Sequence, residues 1–238
     1  MKARCLRGPA GTPARAYHRG VSFASHERAA LCSLLAETGP GAPTLCEGWR
    51  TLDLAAHLVL REHRPDAALG ILGGPLAPHT ERVRQALIAR SPYPQLVARI
   101  RSGPPALSVY RIPGMEDRLN MVEFFVHHED VRRAADGWEP RQLSRDLVEA
   151  LWQRLGAVRY VLRRAPVGVE FVRDDLPASR PGRQRVRITA KARTPVVTVI
   201  GSPAELTLWA MGRTGAAQVR LEGSEPDVHK LSQASWRI

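Results

Sequence analysis

The chain has 238 residues, of which 44% are hydrophobic and 24% are charged. These proportions are typical of a globular protein and exclude a largely disordered chain, a collagen-like repeat and a coiled-coil rod. The net charge is +12: residues 1–24 carry five basic and no acidic side chains, residues 27–165 carry 19 and 16, and residues 166–238 carry 11 and 7. The long central part is nearly balanced, so the charge does not predict specific binding to nucleic acid.

Residues 1–22 are predicted to be a disordered basic leader, because prolines and glycines interrupt any amphipathic helix there. The same residues lack the continuous apolar segment of a secretory signal. No uncharged apolar run approaches the roughly 18 residues that a membrane span requires, so no membrane partner is expected. Cys5, Cys32 and Cys46 are too few and too widely spaced for a disulfide framework, which favours a cytoplasmic location.

Residues 23–165 show the apolar spacing of amphipathic helices and are predicted to form a helical bundle. The predicted helices begin at Ser25, at Thr51, near His79, near Arg118 and near Leu143, and they end at Gly39, before Pro65, near Arg101, at Asp136 and before Pro166. The third of them is expected to be interrupted around Pro92 and Pro94, because proline lacks the N–H that a helix interior needs.

The period of the sequence changes after Pro166, and residues 166–238 are predicted to form a small α+β domain. β-branched, alternating segments predict strands at 167–173, 186–190, 196–200 and 218–222, with a turn or loop at 177–183. Proline directly after Ser202 marks the start of a helix that closes at Gly212, and a last short helix is expected at 225–231. The predicted fold class is therefore α+β, a bundle followed by a smaller mixed domain.

One predicted helix carries an unusual set of ionisable side chains between residues 120 and 130. Glu123 and His127 are one turn apart and about 40° around the helix axis, so their side chains can converge on one point and hold a metal ion. Asp130 returns to the same stripe, whereas His128 is rotated well away, toward solvent or a neighbouring helix. On spacing alone, a Glu–His pair of this kind is more often a solvated pair of small energetic importance than a metal site.

A metal held by this helix needs a ligand from another helix, and His57 is the natural candidate. Small alanines precede His57 and would let a partner helix approach closely, and Asp53 lies one turn earlier as a possible orienting acceptor. The alternative is a buried histidine satisfied by a backbone carbonyl. Cys46 is interpreted as a small buried thiol near a helix start.

Three segments resemble the mycothiol-dependent maleylpyruvate isomerase family, within the wider DinB-like superfamily. Residues 42–58, with Gly48-Trp49, Asp53 and Ala56-His57-Leu58, are similar to its Gly-Trp, Asp and Ala-His-Leu signature. The segment Glu123-Phe-Phe-Val-His127 resembles half of its metal site, and 201–213 followed by 219–223 resembles its small C-terminal domain. The resemblance covers residues 22–238 and is strongest toward an actinobacterial metal-binding branch.

The resemblance implies a DinB-like bundle and a metal site formed by His57, Glu123 and His127. Two imidazoles and one carboxylate leave coordination positions open, as in catalytic zinc sites, so the expected cofactor is a divalent metal, with Zn²⁺ first and iron, nickel or manganese as alternatives. The implied thiol co-substrate is mycothiol. Arg213 and Arg220 are the possible substrate-binding residues.

Three functions are compatible with the sequence. The first is a metal-dependent enzyme of thiol chemistry, a transferase or an isomerase acting on a small-molecule thiol and an electrophile. The second is a protein of the same fold that binds a metal or small ligand without turnover. The third is a nucleic-acid-associated protein, suggested by the charge alone. Either a monomer or a homodimer is compatible with the sequence.

Overall fold

The computed structural model describes residues 22–71, 73–112, 114–176 and 186–234. The predicted leader, residues 1–22, lies outside this part of the chain except for Ser22, and so does the predicted turn at 177–183. In the described ranges, no helix has both the length and the apolar character needed to span a membrane.

The N-terminal part is helical, as the apolar spacing predicts. In chain order the helices are α1 (Phe23–Thr38), α2 (Thr51–His63), α3 (Pro65–Ala68), α4 (Ala77–Arg90), α5 (Tyr93–Ser102), α6 (Met115–Arg132) and α7 (Arg145–Leu155). The predicted interruption of the third helix is confirmed by the break between α4 and α5, where Pro92 caps α5. Short 3₁₀ turns cover Val109–Arg111, Gly156–Tyr160 and Leu162–Arg164.

Several predicted helix boundaries are wrong; α6, for example, ends at Arg132 and not at Asp136. Ser22, and not Ser25, caps α1, because the Ser22 side chain accepts a hydrogen bond from the Ser25 N–H. The last helix of the bundle does not run continuously to residue 164: the α-helical part ends at Leu155 and 3₁₀ turns continue the chain. The predicted stop of α1 is confirmed, since Gly39 follows the helix with a φ of 74°, a conformation that glycine adopts without a Cβ clash.

The bundle core lies between α1, α2, α5, α6 and α7, with α1 packed along α6. Leu31, Leu54, Ile100 and Phe124 are among its fully buried side chains. Burial of apolar side chains stabilises the fold by about 25 cal/mol for each Å² of apolar surface removed from water. The core fixes α2 against α6, the two helices that carry the candidate ligands.

The C-terminal part contains β1 (Gly168–Arg173), β2 (Arg187–Lys191), β3 (Val196–Gly201), α8 (Pro203–Ala210), β4 (Arg220–Glu222) and α9 (Glu225–Gln233). The strand order is β2-β1-β3-β4, with the central pair β1 and β3 parallel and both outer pairs antiparallel. The predicted α+β class is therefore confirmed.

Helix α8 is buried against both parts of the protein. Ala204 and Leu208 pack into the bundle core, whereas Leu206 and Trp209 pack into the core beneath the sheet. Helix α7 likewise contributes buried side chains to both the bundle core and the core beneath the sheet. The division into domains at residue 165 stays a prediction.

A buried arginine also joins the two parts. Arg133, at the end of α6, donates to Glu129 at 2.7 Å and to both carboxylate oxygens of Glu205 on α8 at 2.9 and 2.7 Å. It donates in addition to the carbonyl of Ala216 at 2.8 Å. Because Glu205 and Ala216 flank the segment that contains Arg213, this arginine holds that segment against α6.

Candidate metal centre

The side chains of His57, Glu123 and His127 meet between α2 and α6. The Nε2 atoms of both histidines lie 3.2 Å from the same oxygen, Oε1 of Glu123. The two imidazole ring centres are 5.3 Å apart, and one ligand atom from each residue lies within 4.8 Å of the others. The structure thus brings together the three residues that the sequence singles out.

These distances fit a divalent metal ion. Zinc is bound by histidine nitrogens and carboxylate oxygens at about 2.0–2.1 Å, and neighbouring ligands of a tetrahedral ion are then about 3.3 Å apart. The observed separations of 3.2 Å between each Nε2 and Oε1 are close to this value. A nitrogen–nitrogen–oxygen donor set also suits zinc, iron or nickel, so the geometry leaves the metal open.

The charge states of these groups favour ligation of a cation. Burial lowers the pKa of His57, so this imidazole is neutral at pH 7, the charge state in which histidine binds a metal. Burial alone would raise the pKa of Glu123, but the charge of Arg61 and hydrogen bonds from both histidines hold the pKa well below 4.5. The site therefore offers an anionic carboxylate beside a neutral imidazole.

His127 is oriented by Asp130, one turn further along α6. Nδ1 of His127 lies 2.8 Å from Oδ2 of Asp130. Burial would lower the pKa of His127, but hydrogen bonds with Asp130, Cys46 and Glu123 outweigh burial and raise the pKa well above 6.5. A metal must therefore displace a proton from this ring, since only a neutral imidazole binds a metal.

Asp130 is fully buried and shared with the C-terminal part. Arg213 donates to its two oxygens at 2.8 and 2.6 Å, and the Cys46 thiol donates to Oδ2 at 3.3 Å. Burial would raise the pKa of Asp130, but His127 and Arg213 lower the pKa to about 2, so the carboxylate stays ionised. The potential ligand atoms of Cys46, His127 and Asp130 also lie within 4.8 Å of one another, but Asp130 is already ion-paired with Arg213.

Two residues singled out by the sequence do not reach this centre. The Asp53 carboxylate accepts from the Arg50 N–H at 3.0 Å and pairs with Arg84, so it secures the start of α2 against α4 instead of orienting His57. Arg220 lies on β4, pairs with Glu222 and is absent from the wall of the cavity described below. Arg213 does line the cavity.

His128 is buried against a neighbouring helix. This is one of the two surroundings that the sequence predicts for it; the other, solvent, is wrong. Nδ1 of His128 lies 3.0 Å from a carboxylate oxygen of Glu27 on α1. Arg141 donates to the same carboxylate at 2.9 and 3.1 Å. His128 therefore belongs to a buried ionic cluster with Glu27 and Arg141, on a different face of α6 from the candidate ligands.

Sequence reasoning missed three residues at the centre. Cys46 contacts both Asp130 and Arg213, with the Arg213 contact at 3.4 Å. The ring of Trp49 lies 5.1 Å from that of His57, and Nε of Arg61 lies 3.4 Å from Oε1 of Glu123. Arg61 follows His57 by one helical turn, a spacing that predicts a shared face; Cys46 and Trp49 come from an irregular loop, where no period indicates the direction of a side chain.

A cavity of about 590 Å³ opens over the candidate ligands, and its volume is within the usual range for small-molecule sites. The charged side chains and imidazoles of its wall are those of Glu47, His57, Arg61, Glu123, His127 and Arg213, and the Cys46 thiol lies beside them. The apolar wall consists of Leu45, Trp49, Ala68, Ile71, Val126 and Met211, with Tyr110 beside them. Small molecules that enter the cavity can therefore contact the ligand atoms directly.

Two solved structures resemble this chain. One is the crystal structure of the mycothiol-dependent maleylpyruvate isomerase, with 18% identity, a TM-score of 0.49, and 84% of this chain and 90% of that chain covered. The other is a histidine-to-alanine mutant of that isomerase, with 17% identity, a TM-score of 0.50 and the same coverage. At this identity the second match shows the fold, which confirms the predicted architecture. No family model and no curated protein matches the sequence.

Proposed function

We propose that this protein is a divalent-metal enzyme that joins a small-molecule thiol to an electrophile, with His57, Glu123 and His127 as metal ligands. The observation that carries the proposal is the convergence of both Nε2 atoms on one Glu123 oxygen, 3.2 Å from each, at a cavity large enough for a small molecule. Mycothiol is the proposed thiol and Zn²⁺ the proposed metal.

Three protein ligands from two helices leave positions open toward the cavity, which is the arrangement of catalytic and not structural zinc sites. A divalent ion in this position would favour the deprotonated form of an entering thiol and so supply a nucleophile at neutral pH. The protein's own part is positional. Asp130 holds the His127 ring through Nδ1, which leaves Nε2 directed toward Glu123.

The reaction proposed is addition of the thiol sulfur to an electron-poor carbon. A sulfur–carbon bond forms while a carbon–carbon π bond breaks, and the electron pair moves to the acceptor end of the substrate. In a transferase the new sulfur–carbon bond is kept and the other carbon of the former double bond, on the acceptor side, takes up a proton. In an isomerase the bond breaks again after rotation and the thiolate leaves unchanged.

The direct test is the metal content of the purified protein, followed by a screen for thiol consumption with different electrophiles. We expect close to one divalent ion per chain in the wild type. His57→Ala, Glu123→Gln and His127→Ala should each lose it, whereas His79→Ala should not, because His79 is an exposed histidine that pairs with Asp66 outside the cavity. Unchanged metal content in all three variants would contradict the proposed ligands.

Binding without turnover is a second candidate, and one observation favours it. Arg213 reaches the cavity with its guanidinium already engaged by Asp130 at 2.6 and 2.8 Å, so it is not a freely available clamp for a charged substrate. A protein that retains the metal but consumes no thiol with any electrophile in the screen would favour this candidate over the enzyme.

For its surroundings we propose the reducing cytoplasm, small-molecule partners, and a monomer or homodimer without specific nucleic-acid binding. The nearly balanced charge of residues 27–165, 19 basic and 16 acidic side chains, supports the absence of specific nucleic-acid binding. Binding to DNA, measured over a range of salt concentrations, should be weak and should disappear when residues 1–22 are deleted. Salt-dependent binding that survives the deletion would contradict this proposal.

A further inference from the structure

Arg61 lies in the cavity wall and brings a permanent positive charge to the candidate ligands. It follows His57 by one turn of α2, and its Nε lies 3.4 Å from Oε1 of Glu123, the oxygen that both histidine Nε2 atoms share. Its side chain is only 16% exposed, so water screens its charge weakly. Arg61 therefore acts electrostatically on any molecule that binds in the cavity.

The guanidinium of Arg61 is fixed by α6. Its Nη2 donates to the Leu119 carbonyl at 2.8 Å, and its Nη1 donates to the side-chain oxygen of Asn120. Asn120 is fully buried and donates in turn to Glu62 at 2.8 Å. Because the two acceptors of the Nη atoms are uncharged, they hold the guanidinium in place without neutralising it.

The two carboxylates at the centre are each paired with an arginine. Glu123 faces Arg61, and Asp130 accepts from Arg213 at 2.8 and 2.6 Å. The two negative charges are therefore offset by two positive ones. The imidazoles add no charge when a metal is bound, since only neutral histidine is a ligand. These groups together leave the charge of a bound metal uncompensated.

A divalent ion at the three ligands would therefore keep most of its own charge. Glu47 is a further acidic residue of the cavity wall, but it is exposed, so water and salt screen its charge. The remaining positive charge is balanced most favourably by an anion at the open coordination positions. Without Arg61, the Glu123 carboxylate would already offset part of the charge of the metal.

We propose that Arg61 is a specificity-determining residue, whose charge beside Glu123 makes the metal-loaded centre favour anionic over neutral ligands. The inference rests on the proposed function, because the anion it favours in that reaction is the thiolate form of the co-substrate. By offsetting the charge of Glu123, Arg61 leaves the open side of the metal more positive. It does so from a fixed position, so no reorganisation of the guanidinium is needed when the anion enters.

The test is ligand binding to the full-length protein loaded with Co²⁺, whose visible absorption changes when a ligand binds to the ion. Azide is the anionic probe and imidazole the neutral one, and both are titrated at pH 8, where imidazole is uncharged, and at constant ionic strength. Arg61→Met should weaken azide binding at least about tenfold, because it removes a positive charge beside the ion, and should leave imidazole binding unchanged. Arg61→Lys keeps the charge but not the planar fork, and it should retain most of the azide affinity.

Arg64→Met is the matched control. Arg64 directly follows α2, but 43% of its side chain is exposed, it pairs with Asp66, and neither residue lines the cavity. Both probes should bind to this variant as they do to the wild type. Arg61→Gln is a second neutral variant, whose amide can still donate a hydrogen bond across to α6, and it should show the same loss of azide binding as Arg61→Met.

Unchanged azide affinity in folded Arg61→Met or Arg61→Gln would overturn the inference. An equal loss of azide and imidazole binding would overturn it too, because it indicates a purely structural role, and so would loss of the azide preference in folded Arg61→Lys.

Failure of this inference can be separated from failure of the proposed function. A wild-type protein that does not hold Co²⁺ would contradict both. Thiol consumption by a protein whose azide affinity does not depend on Arg61 would support the enzyme and overturn the role of Arg61. A selective loss of azide binding in Arg61→Met, without thiol consumption by the wild type, would support the role of Arg61 but contradict the enzyme.

Discussion

The Asp130 carboxylate lies 2.8 Å from Nδ1 of His127. Because an ionised carboxylate can only accept hydrogen bonds, the histidine must donate from Nδ1, and in the neutral ring the lone pair is then on Nε2. Nε2 is the atom that faces Glu123. One buried carboxylate therefore selects the form of His127 that can bind a metal.

Asp130→Asn should weaken metal binding by roughly 10–100-fold. A neutral amide accepts a weaker hydrogen bond from Nδ1 of His127 than a carboxylate does, so the His127 ring is held less firmly in the orientation that binds the metal. Competition with a chromophoric chelator measures this affinity. Asp53→Asn is the matched control, since Asp53 contacts Arg50 and Arg84, and it should bind the metal as the wild type does. Equal affinity in both variants would show that Asp130 does not orient a ligand.

The two adjacent histidines of α6 should respond differently to replacement. His127→Ala should abolish tight metal binding, because only His57 and Glu123 remain. His128→Ala should retain the metal but lower the melting temperature, since it removes the 3.0 Å contact with buried Glu27. Metal analysis and thermal unfolding of both variants provide the comparison, and loss of metal from the His128 variant alone would contradict the assigned ligand.

Glu27→Gln should lower the free energy of unfolding at pH 7 by roughly 1–3 kcal/mol, because it removes one of the two carboxylates that pair with Arg141 and leaves only Glu129. Burial would raise the pKa of Glu27, but His128 and Arg141 lower it below the ordinary value of 4.5. The stabilisation is therefore present above about pH 4.5 and is lost as the pH falls through the lowered pKa.

The difference in the free energy of unfolding between the wild type and Glu27→Gln should accordingly become smaller as the pH falls. Denaturant unfolding of both proteins between pH 7 and pH 3 measures this difference. Glu37→Gln, on the exposed side of the same helix, should have almost no effect at any pH. A Glu27→Gln deficit that stays constant to pH 3 would show that its charge does not stabilise the fold.

Cys46 should react with iodoacetamide much faster than Cys32 in the native protein. Burial raises the pKa of Cys32 to about 11, and its side chain is wholly enclosed, whereas Cys46 lines the cavity. Peptide mass mapping after short labelling distinguishes the two thiols. Labelling in urea is the control, where both should react alike, and faster native labelling of Cys32 would contradict the packing described for α1.

Arg133→Met should destabilise the protein by roughly 3–5 kcal/mol, because Glu129 and Glu205 would both lose a buried cation. Arg132→Met is the control: Arg132 also contacts Glu129 but keeps 25% of its side chain exposed, and its loss should cost less than about 1 kcal/mol. Denaturant unfolding at pH 7 compares them, and equal losses would show that the link to α8 is not important for stability.

The helical part of the candidate site was predictable because helical periodicity is local information. The spacing of Glu123, His127 and Asp130 places them on one stripe of α6, and the structure shows that stripe. Local sequence signals do not decide between two equivalent residues. Ser22 and Ser25 are both good helix caps, and only the packing of α1 decides between them.

The contacts of Asp130 with Arg213 and Cys46 could not be predicted in this way. They join residues 83 and 84 positions apart, and the partner of Asp130 is decided by how α8 packs against α6. Asp53 illustrates the same limit, since its position one turn before His57 is compatible with orienting that histidine, but α4 supplies a closer partner in Arg84.

The packing of α8 against α6 also sets the order in which the parts of the candidate centre can come together during synthesis of the chain. The chain is synthesised from its N-terminus, so His57, Glu123 and His127 are all present on the ribosome well before Arg213. Until α8 and the residues after it have emerged, Asp130 lacks its ion pair with Arg213 and the cavity lacks the wall formed by Met211 and Arg213. A nascent chain can therefore bring the three candidate ligands together before the cavity over them is complete.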